Sequence, residues 1–303
     1  LILINFMSIY SSPLLVKPDF SRPEYLTVTP HSAGWEHLSF SVIRLEKGES
    51  WQFDTAENEL ALTILGGSLD VRSNRGIWKC IGSRADVFHG MPTTLYLSRN
   101  TQFTVLAAYG GVEFACGWAA ASRDYPARLV QPQEVQVELR GGENASRQIN
   151  QMILPGFPCD RLVVVEVYTP SGNWSSYPPH KHDERKVAAD GSLIEADLEE
   201  IYFYKFSAPE GFAYQRCYTA NGQVDELILA QHNHLVLSPQ GYHPVVTAPG
   251  YDAYYLNYLA GSDQSLASTD DPRYTWVKET WKGKDPRLPL VNLAMNNLPR
   301  SEK

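Results

Sequence analysis

Four side chains in the second half of the sequence could bind one divalent metal ion. His180 and His182 are separated by one residue, a pair of acidic residues at 199 and 200 begins an apolar segment, and His243 follows a glycine and a tyrosine. Two histidines, a carboxylate and a distant histidine form a nitrogen and oxygen donor set that suits a divalent transition metal. Such a set leaves coordination positions open, so the sequence predicts a metal centre that can also bind a substrate.

Strand periodicity indicates which of these side chains point the same way. Alternate residues of a strand face the same side, so His180 and His182 are predicted to point together into a barrel. The same period places Glu200 and Tyr202 on one face and Glu199 on the other. Glu200 is therefore favoured over Glu199 as the carboxylate ligand.

Other charged and imidazole groups near this set have simpler interpretations. His232 and His234 form a second pair with the same spacing, but no carboxylate accompanies them. We predict that they are solvent-edge residues on the strand that leads to His243. Lys181 and Arg185 flank the first pair and are predicted to be solvated loop charges.

The elements that position these residues are predicted to be strands. The 21 glycines and 20 prolines lie at short intervals between runs rich in valine, isoleucine, leucine, tyrosine and phenylalanine, which is typical of many short strands. Helical periodicity is absent over long windows, and short helical segments are expected only near residues 145–152 and 287–297. The strands expected most clearly are residues 38–45, 60–65, 102–106, 162–168, 200–206 and 254–258.

A weak internal repeat indicates a duplication. Residues 43–51 lead to an acidic strand that begins at Glu59, and residues 166–174 lead to one that begins at Glu200. Two antiparallel barrels or jelly rolls are the natural interpretation, because closure removes exposed strand edges. We predict a barrel without a metal site at residues 7–135, serving as scaffold and dimerisation surface. A barrel with the site and a C-terminal tail is predicted at residues 136–303.

Composition excludes several classes of function. The 26 basic and 34 acidic residues give a net charge of -8, and the absence of a basic cluster argues against nucleic acid as a partner. No nucleotide-binding glycine motif is present. Four widely spaced cysteines indicate reduced thiols rather than a disulfide framework. No segment is apolar enough to span a bilayer, Met7 is expected to be the natural start, and a cytoplasmic enzyme is predicted.

The motifs around the candidate ligands resemble one family. The resemblance extends over about residues 24 to 282 and is to the IolB family, the 5-deoxy-glucuronate isomerases of bacterial myo-inositol catabolism. These proteins are bicupins related to the isomerase that acts on 5-keto-4-deoxyuronate. The segments that carry the resemblance are Tyr177-Pro-Pro-His-Lys-His-Asp183, Leu198-Glu-Glu-Ile-Tyr202, Gly211-Phe-Ala-Tyr-Gln-Arg216, Gly241-Tyr-His-Pro-Val-Val246 and Gly250-Tyr-Asp-Ala-Tyr-Tyr-Leu-Asn257.

This resemblance implies an all-β fold of two tandem cupin domains, that is, double-stranded β-helices or jelly rolls. It also implies that His180, His182, Glu200 and His243 bind zinc, with manganese, iron and nickel as alternatives. The implied reaction converts 5-deoxy-D-glucuronate to 2-deoxy-5-keto-D-gluconate. The implied partner is thus a small sugar acid. The loop at residues 184–197 is long compared with that of the 5-keto-4-deoxyuronate enzyme.

The proton shuttle and the group that binds the substrate carboxylate are less constrained. A shuttle needs a tunable pKa near the metal, which makes Glu166, Tyr202, Tyr254 and Tyr255 candidates. Glu166 lies in an apolar strand, where an unpaired carboxylate would be costly, so it serves either the reaction or a structural ion pair. Arg216 could bind the carboxylate through its planar guanidinium, or form an outer-face salt bridge.

Two other functions stay open on the sequence alone. The same donor set could bind ferrous iron in a cupin-type dioxygenase, and an isomerase of this family could act on a related uronate. A sugar-sensing module is the non-enzymatic alternative, although no DNA-binding motif accompanies the predicted barrels. The sequence leaves the number of subunits and the role of residues 282–303 open.

Overall fold

The computed structural model describes residues 12–297, so the predicted start at Met7 lies outside the described residues. Within them, one short α-helix, α1 (Pro30–Ala33), and four 3-10 turns (Pro132–Glu134, Glu143–Ala145, Thr275–Thr280 and Leu293–Asn297) accompany many strands. The strands are β1 (Leu15–Val16), β2 (Glu24–Val28), β3 (Ser39–Leu45), β4 (Ser50–Asp54), β5 (Asn58–Gly66), β6 (Leu69–Ser73), β7 (Gly76–Ile81), β8 (Thr94–Leu97), β9 (Gln102–Leu106), β10 (Val112–Ala120), β11 (Arg128–Val130), β12 (Gln136–Arg140), β13 (Arg147–Ile153), β14 (Val163–Thr169), β15 (Trp174–Ser175), β16 (His180–Lys181), β17 (Asp183–Val187), β18 (Leu193–Phe206), β19 (Phe212–Tyr218), β20 (Asp225–Gln231), β21 (Leu235–Ser238), β22 (Val245–Thr247), β23 (Ala253–Gly261) and β24 (Thr269–Asp270).

These strands form two antiparallel double-sheet barrels, which confirms the predicted fold class. In the first barrel a six-stranded sheet, in the order β11-β8-β5-β10-β3-β2, faces the four-stranded sheet β4-β9-β6-β7. In the second barrel an eight-stranded sheet, β1-β21-β18-β23-β14-β13-β12 with β17 beside β18, faces the sheet β15-β22-β19-β20. A pair of short strands, β16 and β24, completes the second barrel. Each barrel encloses its own apolar core, and a third core lies between their large sheets.

Strand register decides which side chains of the second barrel point inward. Tyr202 on β18 lies opposite Asn257 on β23, which in turn lies opposite Val165 on β14. These residues face the barrel interior, whereas their chain neighbours Ile201 and Leu256 pack into the core between the barrels. Each central strand therefore presents one face to a candidate site and the other to the first barrel.

Two glutamates connect the barrels reciprocally. Glu199 of the second barrel accepts hydrogen bonds from the backbone amides of residues 36–38, just before β3. Glu59 of the first barrel accepts them from the amides of residues 160–162, just before β14. The two glutamates thus occupy equivalent positions in the duplicated halves. The repeat proposed from the sequence was misaligned by one residue, since the equivalent of Glu200 is Leu60.

Close packing and a buried ion pair add to this interface. The Tyr258 ring lies against Gly117, where a Cβ would come within 2.1 Å of the ring. Lys205 of β18 contacts Glu113 of β10 at 2.8 Å. Burial lowers the pKa of Lys205 in spite of this carboxylate, and the nearby charge of Arg44 adds to that effect. Burial opposes ionisation of Glu113 too, but Lys205, a tyrosine and an arginine together lower its pKa to about 2.

Several sequence predictions about local structure are changed by the fold. Residues 147–153 form strand β13 rather than a helix, because they pair with β12 on one side and β14 on the other and are buried on both faces. The expected helical segment near residues 287–297 is limited to a 3-10 turn at its end. Strand β1 pairs with β21 of the second barrel, so a short N-terminal strand crosses the predicted division at residues 135 and 136. That division stays a prediction.

The C-terminal segment returns to both barrels. Val291 is buried in the core between them, and the Asn296 side chain bonds the backbone of Met91 in the first barrel. The four cysteines are free thiols. Among the described residues, no helix has the length and apolar character needed to cross a membrane.

Candidate metal centre

Three histidines converge in the second barrel. His180 lies on β16, His182 is the first residue after that strand, and His243 lies two residues before β22. One ring nitrogen of each histidine lies within 4.8 Å of the corresponding nitrogen of the other two. His182 and His243 are buried, and His180 is partly buried at the edge of a cavity. The sequence placed these residues together, and the structure shows them in one cluster.

The Glu200 carboxylate lies beside this cluster. Its Oε2 atom is 3.0 Å from Nε2 of His182 and 3.3 Å from Nε2 of His243. Glu199 points to the other side of β18, where it binds backbone amides of the first barrel. Strand alternation therefore separates the two acidic neighbours as the sequence analysis expected.

Backbone acceptors fix the orientation of two of the imidazole rings. Nδ1 of His182 lies 3.1 Å from the Leu198 carbonyl oxygen, and Nδ1 of His243 lies 2.8 Å from that of Gly241. A carbonyl can only accept, so each Nδ1 carries the hydrogen and each Nε2 faces the cluster. Nε2 of His243 is buried without a hydrogen-bond partner, since its approach to Glu200 lacks hydrogen-bond geometry. These donors fit a divalent metal ion.

Burial and charge set the protonation states of the cluster. Burial lowers the pKa of His180 well below its usual range, and the charges of His243 and Arg147 add to this effect. Burial likewise lowers the pKa of His243 to about 4. Burial also acts against protonated His182, but the hydrogen bond and charge of Glu200 outweigh it and raise that pKa. Two imidazoles are thus in the neutral form that binds a metal, and Glu200 favours the protonated form of the third.

A buried charge network supports the loop that carries His243. The Lys181 ammonium contacts the carboxylates of Asp183 and Glu195, and Asp183 accepts the Gly241 amide at 2.6 Å. Gly241 has a φ of 81°, and a Cβ there would lie 2.4 Å from a backbone oxygen. Lys181 was predicted to be a solvated loop charge. It is largely buried instead, with only 14% of its side chain exposed, and it pairs with two carboxylates.

Among Glu166, Tyr202, Tyr254 and Arg216, Tyr202 is the one that lines the cavity beside the histidines. Its ring centroid lies 5.8 Å from that of His243, and burial raises the pKa of its phenol well above the usual value. Tyr255, which was weighed with it, also lines this cavity and shares a 2.5 Å hydrogen bond with Ser175. Both phenols stay protonated and can donate hydrogen bonds to a bound oxygen.

Glu166 and Tyr254 do not reach the cluster, which corrects their predicted catalytic roles. Glu166 forms a bidentate ion pair with Arg84 of the first barrel, with both distances 3.0 Å. Tyr254 donates to the same carboxylate at 3.1 Å. Both side chains lie on the faces of β14 and β23 that pack against the first barrel. The structural alternative given for Glu166 is therefore the one observed.

Arg216 is also distant from the cluster, which corrects its prediction as the carboxylate binder. Its guanidinium binds Asp225 through two hydrogen bonds of 2.7 Å and lies 4.2 Å from the centroid of the Tyr218 ring. The side chain is 43% exposed. It forms the outer-face salt bridge that was its alternative.

The second histidine pair lies in the connection between β20 and β21, outside the cluster. Nδ1 of His232 accepts the Phe206 amide, and Nδ1 of His234 accepts the Gln231 amide. His234 is 8% exposed, so it is a buried turn residue and not the solvent-edge residue expected. Both imidazoles therefore accept backbone amides at this turn.

Sequence reasoning missed Arg147 and Arg140, which line the cavity with His180. Arg147 begins β13 and lies opposite Arg140 on β12. No alternation of polar and apolar residues marks them, because both faces of residues 147–153 carry polar side chains, and the sequence favoured a helix there. The prediction for the group that binds the substrate carboxylate therefore fell on Arg216 of β19.

The equivalent region of the first barrel is apolar. Leu60, the equivalent of Glu200, is fully buried in the core of that barrel. Trp51, Phe53 and Trp118 pack around this core. Among residues 12–297, the histidine group of the second barrel is the one found with metal-binding geometry.

Comparison with known proteins places the chain in a family. The model of the KduI/IolB family matches residues 14–277. The 5-deoxy-glucuronate isomerase of Geobacillus thermodenitrificans is 41% identical over 84% of this chain and 90% of its own length. The 5-deoxy-glucuronate isomerase of Halalkalibacterium halodurans is 35% identical over 83% of this chain and 92% of its own length.

Solved structures agree with these relatives. The crystal structure of an IolB-like protein from Salmonella typhimurium has a TM-score of 0.82 and 35% identity, covering 87% of this chain and 98% of its own. A mutant of oxalate decarboxylase from Bacillus subtilis has a TM-score of 0.60 at 13% identity, covering 97% of this chain and 88% of its own, and shows the shared cupin fold alone. With a family model that matches most of its length and relatives at 35–41% identity, the chain belongs to the KduI/IolB family.

Proposed function

We propose that this protein is an aldose-ketose isomerase that converts 5-deoxy-D-glucuronate to 2-deoxy-5-keto-D-gluconate. The observation that carries the proposal is the cluster of His180, His182, His243 and Glu200, whose lone pairs converge at the edge of a cavity in the second barrel. The relatives named 5-deoxy-glucuronate isomerase support it. The cluster would hold one divalent metal ion.

The proposed reaction moves hydrogen within one molecule and needs no redox cofactor. The carbon beside the aldehyde loses its hydrogen, the aldehyde carbon gains one, and the hydroxyl proton moves from one oxygen to the other. A divalent cation in the cluster would stabilise negative charge that develops on these oxygens. The neutral imidazoles of His180 and His243 are in the form required to hold such an ion.

The chain itself supplies orientation and hydrogen-bond donors. The phenols of Tyr202 and Tyr255 both line the cavity and stay protonated, because burial raises their pKa values. They can donate to the carbonyl and hydroxyl oxygens of the substrate. Isoleucine, valine and leucine side chains also line the cavity and would keep water from the reacting carbons. We retain Tyr202 as the candidate proton donor.

Zinc is proposed as the metal, with manganese, iron and nickel as alternatives to be compared by reconstitution. A role in myo-inositol catabolism and a cytoplasmic location are proposed from the family resemblance. A small-molecule substrate suits a cavity enclosed by one barrel. Assembly into a homo-oligomer stays a prediction.

The experiment is an anaerobic assay of the purified protein with 5-deoxy-glucuronate, followed by NMR of the aldehyde proton. We expect the aldehyde signal to disappear and a ketose signal to appear although oxygen is absent. Exhaustive chelation should abolish turnover, and one equivalent of metal should restore it. His180→Ala should abolish both metal binding and turnover, whereas His232→Ala, a matched change in the second histidine pair, should retain them.

Each other outcome has a clear meaning. Turnover that requires oxygen would show that the protein is a dioxygenase and not an isomerase. Binding of the sugar acid without turnover by the metal-loaded protein would support a sensing role. Full activity of His180→Ala would refute the ligand assignment.

A further inference from the structure

Arg147 is a buried cation that lacks an anionic partner. It is 5% exposed and lines the cavity next to His180 and Tyr202. Its Nη1 atom is buried without a hydrogen-bond partner, and among residues 12–297 no carboxylate lies within ion-pair distance of its guanidinium. Burying a charged group without a partner is costly. The arrangement is explained if an anion enters the cavity and completes the ion pair.

A second arginine increases the positive charge at the same place. Arg140 lies directly opposite Arg147 in the antiparallel pair of β12 and β13, and it also lines the cavity. Like charges at opposed strand positions destabilise a sheet. Glu138 binds Arg140 through two hydrogen bonds of 2.7 and 2.8 Å, so the charge of Arg140 is compensated. Glu138 attracts Arg147 as well, but without an ion pair or hydrogen bond to its guanidinium.

The other charged groups at the cavity confirm where an anion could bind. Glu200, the acidic residue that lines the cavity, is engaged by His182. Arg216, the other arginine considered for this role, is fully paired with Asp225 on the outer face. Arg147 is therefore the guanidinium with free donor capacity beside the histidine cluster.

We propose that Arg147 binds the carboxylate of the substrate and so selects sugar acids over neutral sugars. This inference rests on the proposed function, because it assigns the end of the substrate remote from the reacting carbons. A guanidinium offers parallel donors that match a carboxylate, and its planar fork also fixes the direction of the sugar chain. Arg140 also lines the cavity, but Glu138 occupies its guanidinium, so the carboxylate is assigned to Arg147.

The test is calorimetric titration of D-glucuronate and, separately, of neutral D-glucose into metal-loaded and metal-free protein. The wild type should bind glucuronate in preference to glucose in both forms. In Arg147→Met the affinity for glucuronate should fall on the order of 10- to 100-fold, as expected for the loss of charge-assisted hydrogen bonds. Glucose binding should change less than twofold. Arg216→Met is the matched control and should behave as the wild type.

Thermal melting shows whether a loss of binding in the variant results from unfolding. Arg147→Met removes an uncompensated buried charge, so its melting temperature without ligand should equal or exceed that of the wild type. Glucuronate should raise the melting temperature of the wild type and not that of the variant. If Arg147→Met does not fold, Arg147→Lys retains the charge without the fork, and it should show intermediate glucuronate affinity with unchanged glucose binding.

The results separate this inference from the proposed function. Unchanged glucuronate preference in a folded Arg147→Met protein, or no preference in the wild type, would overturn the role of Arg147 even if isomerisation is observed. Glucuronate binding that depends on Arg147, together with no turnover of 5-deoxy-glucuronate, would overturn the isomerase and leave the anion site intact.

Discussion

The adjacent residues Glu199 and Glu200 should have separate functions that single isosteric substitutions can distinguish. Glu199→Gln should destabilise the protein while leaving the metal site intact. Its carboxylate accepts three backbone amides, with distances of 2.7 Å to Leu38 and 2.9 Å to His37 among them. Glutamine retains one acceptor oxygen but turns its NH2 group towards amide donors. At about 1.5–3 kcal/mol for each charge-assisted hydrogen bond, losing one or two costs about 1.5–6 kcal/mol.

The assay is thermal unfolding in excess chelator, so that metal binding does not contribute. Glu199→Gln should lower the melting temperature by roughly 5–15 °C. Glu59→Gln, the equivalent change in the first barrel, should lower it by a similar amount. Glu200→Gln should melt within a few degrees of the wild type but bind less than one tenth of its metal by elemental analysis. A Glu200→Gln protein that retains stoichiometric metal, or a Glu199→Gln protein with unchanged stability, would refute this division of roles.

Three further predictions concern the interface between the barrels. Arg84→Met leaves the Glu166 carboxylate buried without its counter-charge and should cost about 3–5 kcal/mol in denaturant unfolding, much of which Glu166→Gln in the same chain should recover. Glu113 has a folded pKa of about 2, below the usual value of 4.5 for a glutamate, so its stabilisation is complete above pH 4.5 and is lost as the pH falls towards 2. This loss is at most about 3 kcal/mol, and acid unfolding curves of Glu113→Gln should lack it. Gly117→Ala forces a methyl group into the Tyr258 ring and should lower stability by about 1–3 kcal/mol or more, whereas an unchanged melting temperature would show that the interface can adjust.

The sequence was most informative where periodicity and spacing act within one strand. The alternation at residues 180 to 182 and the choice of Glu200 over Glu199 both follow from the two-residue period of a strand, and the structure shows these orientations. The all-β class followed from the spacing of glycine and proline. These are local properties, and local sequence is enough to predict them.

Properties that depend on pairing between distant strands could not be obtained in this way. An acidic residue among valines indicates that Glu166 is buried with a partner, but only the register of β14 against β23 shows that it faces the first barrel. Arg147 reaches the cavity because β12, β13 and β14 pair side by side. Single-sequence periodicity does not contain that register, so Arg216 was considered instead.

The reciprocal binding by Glu59 and Glu199 has a consequence for how such a chain can diverge. In a symmetric pair of separate one-barrel proteins, the same gene would encode both copies of each residue, and any replacement would occur twice. Once the copies are joined, each half varies independently: the first can carry Leu60 where the second carries Glu200, while both retain the glutamate that holds its neighbour. Fusion thus permits one half to lose a residue of the candidate site while it keeps the glutamate that joins it to the other half.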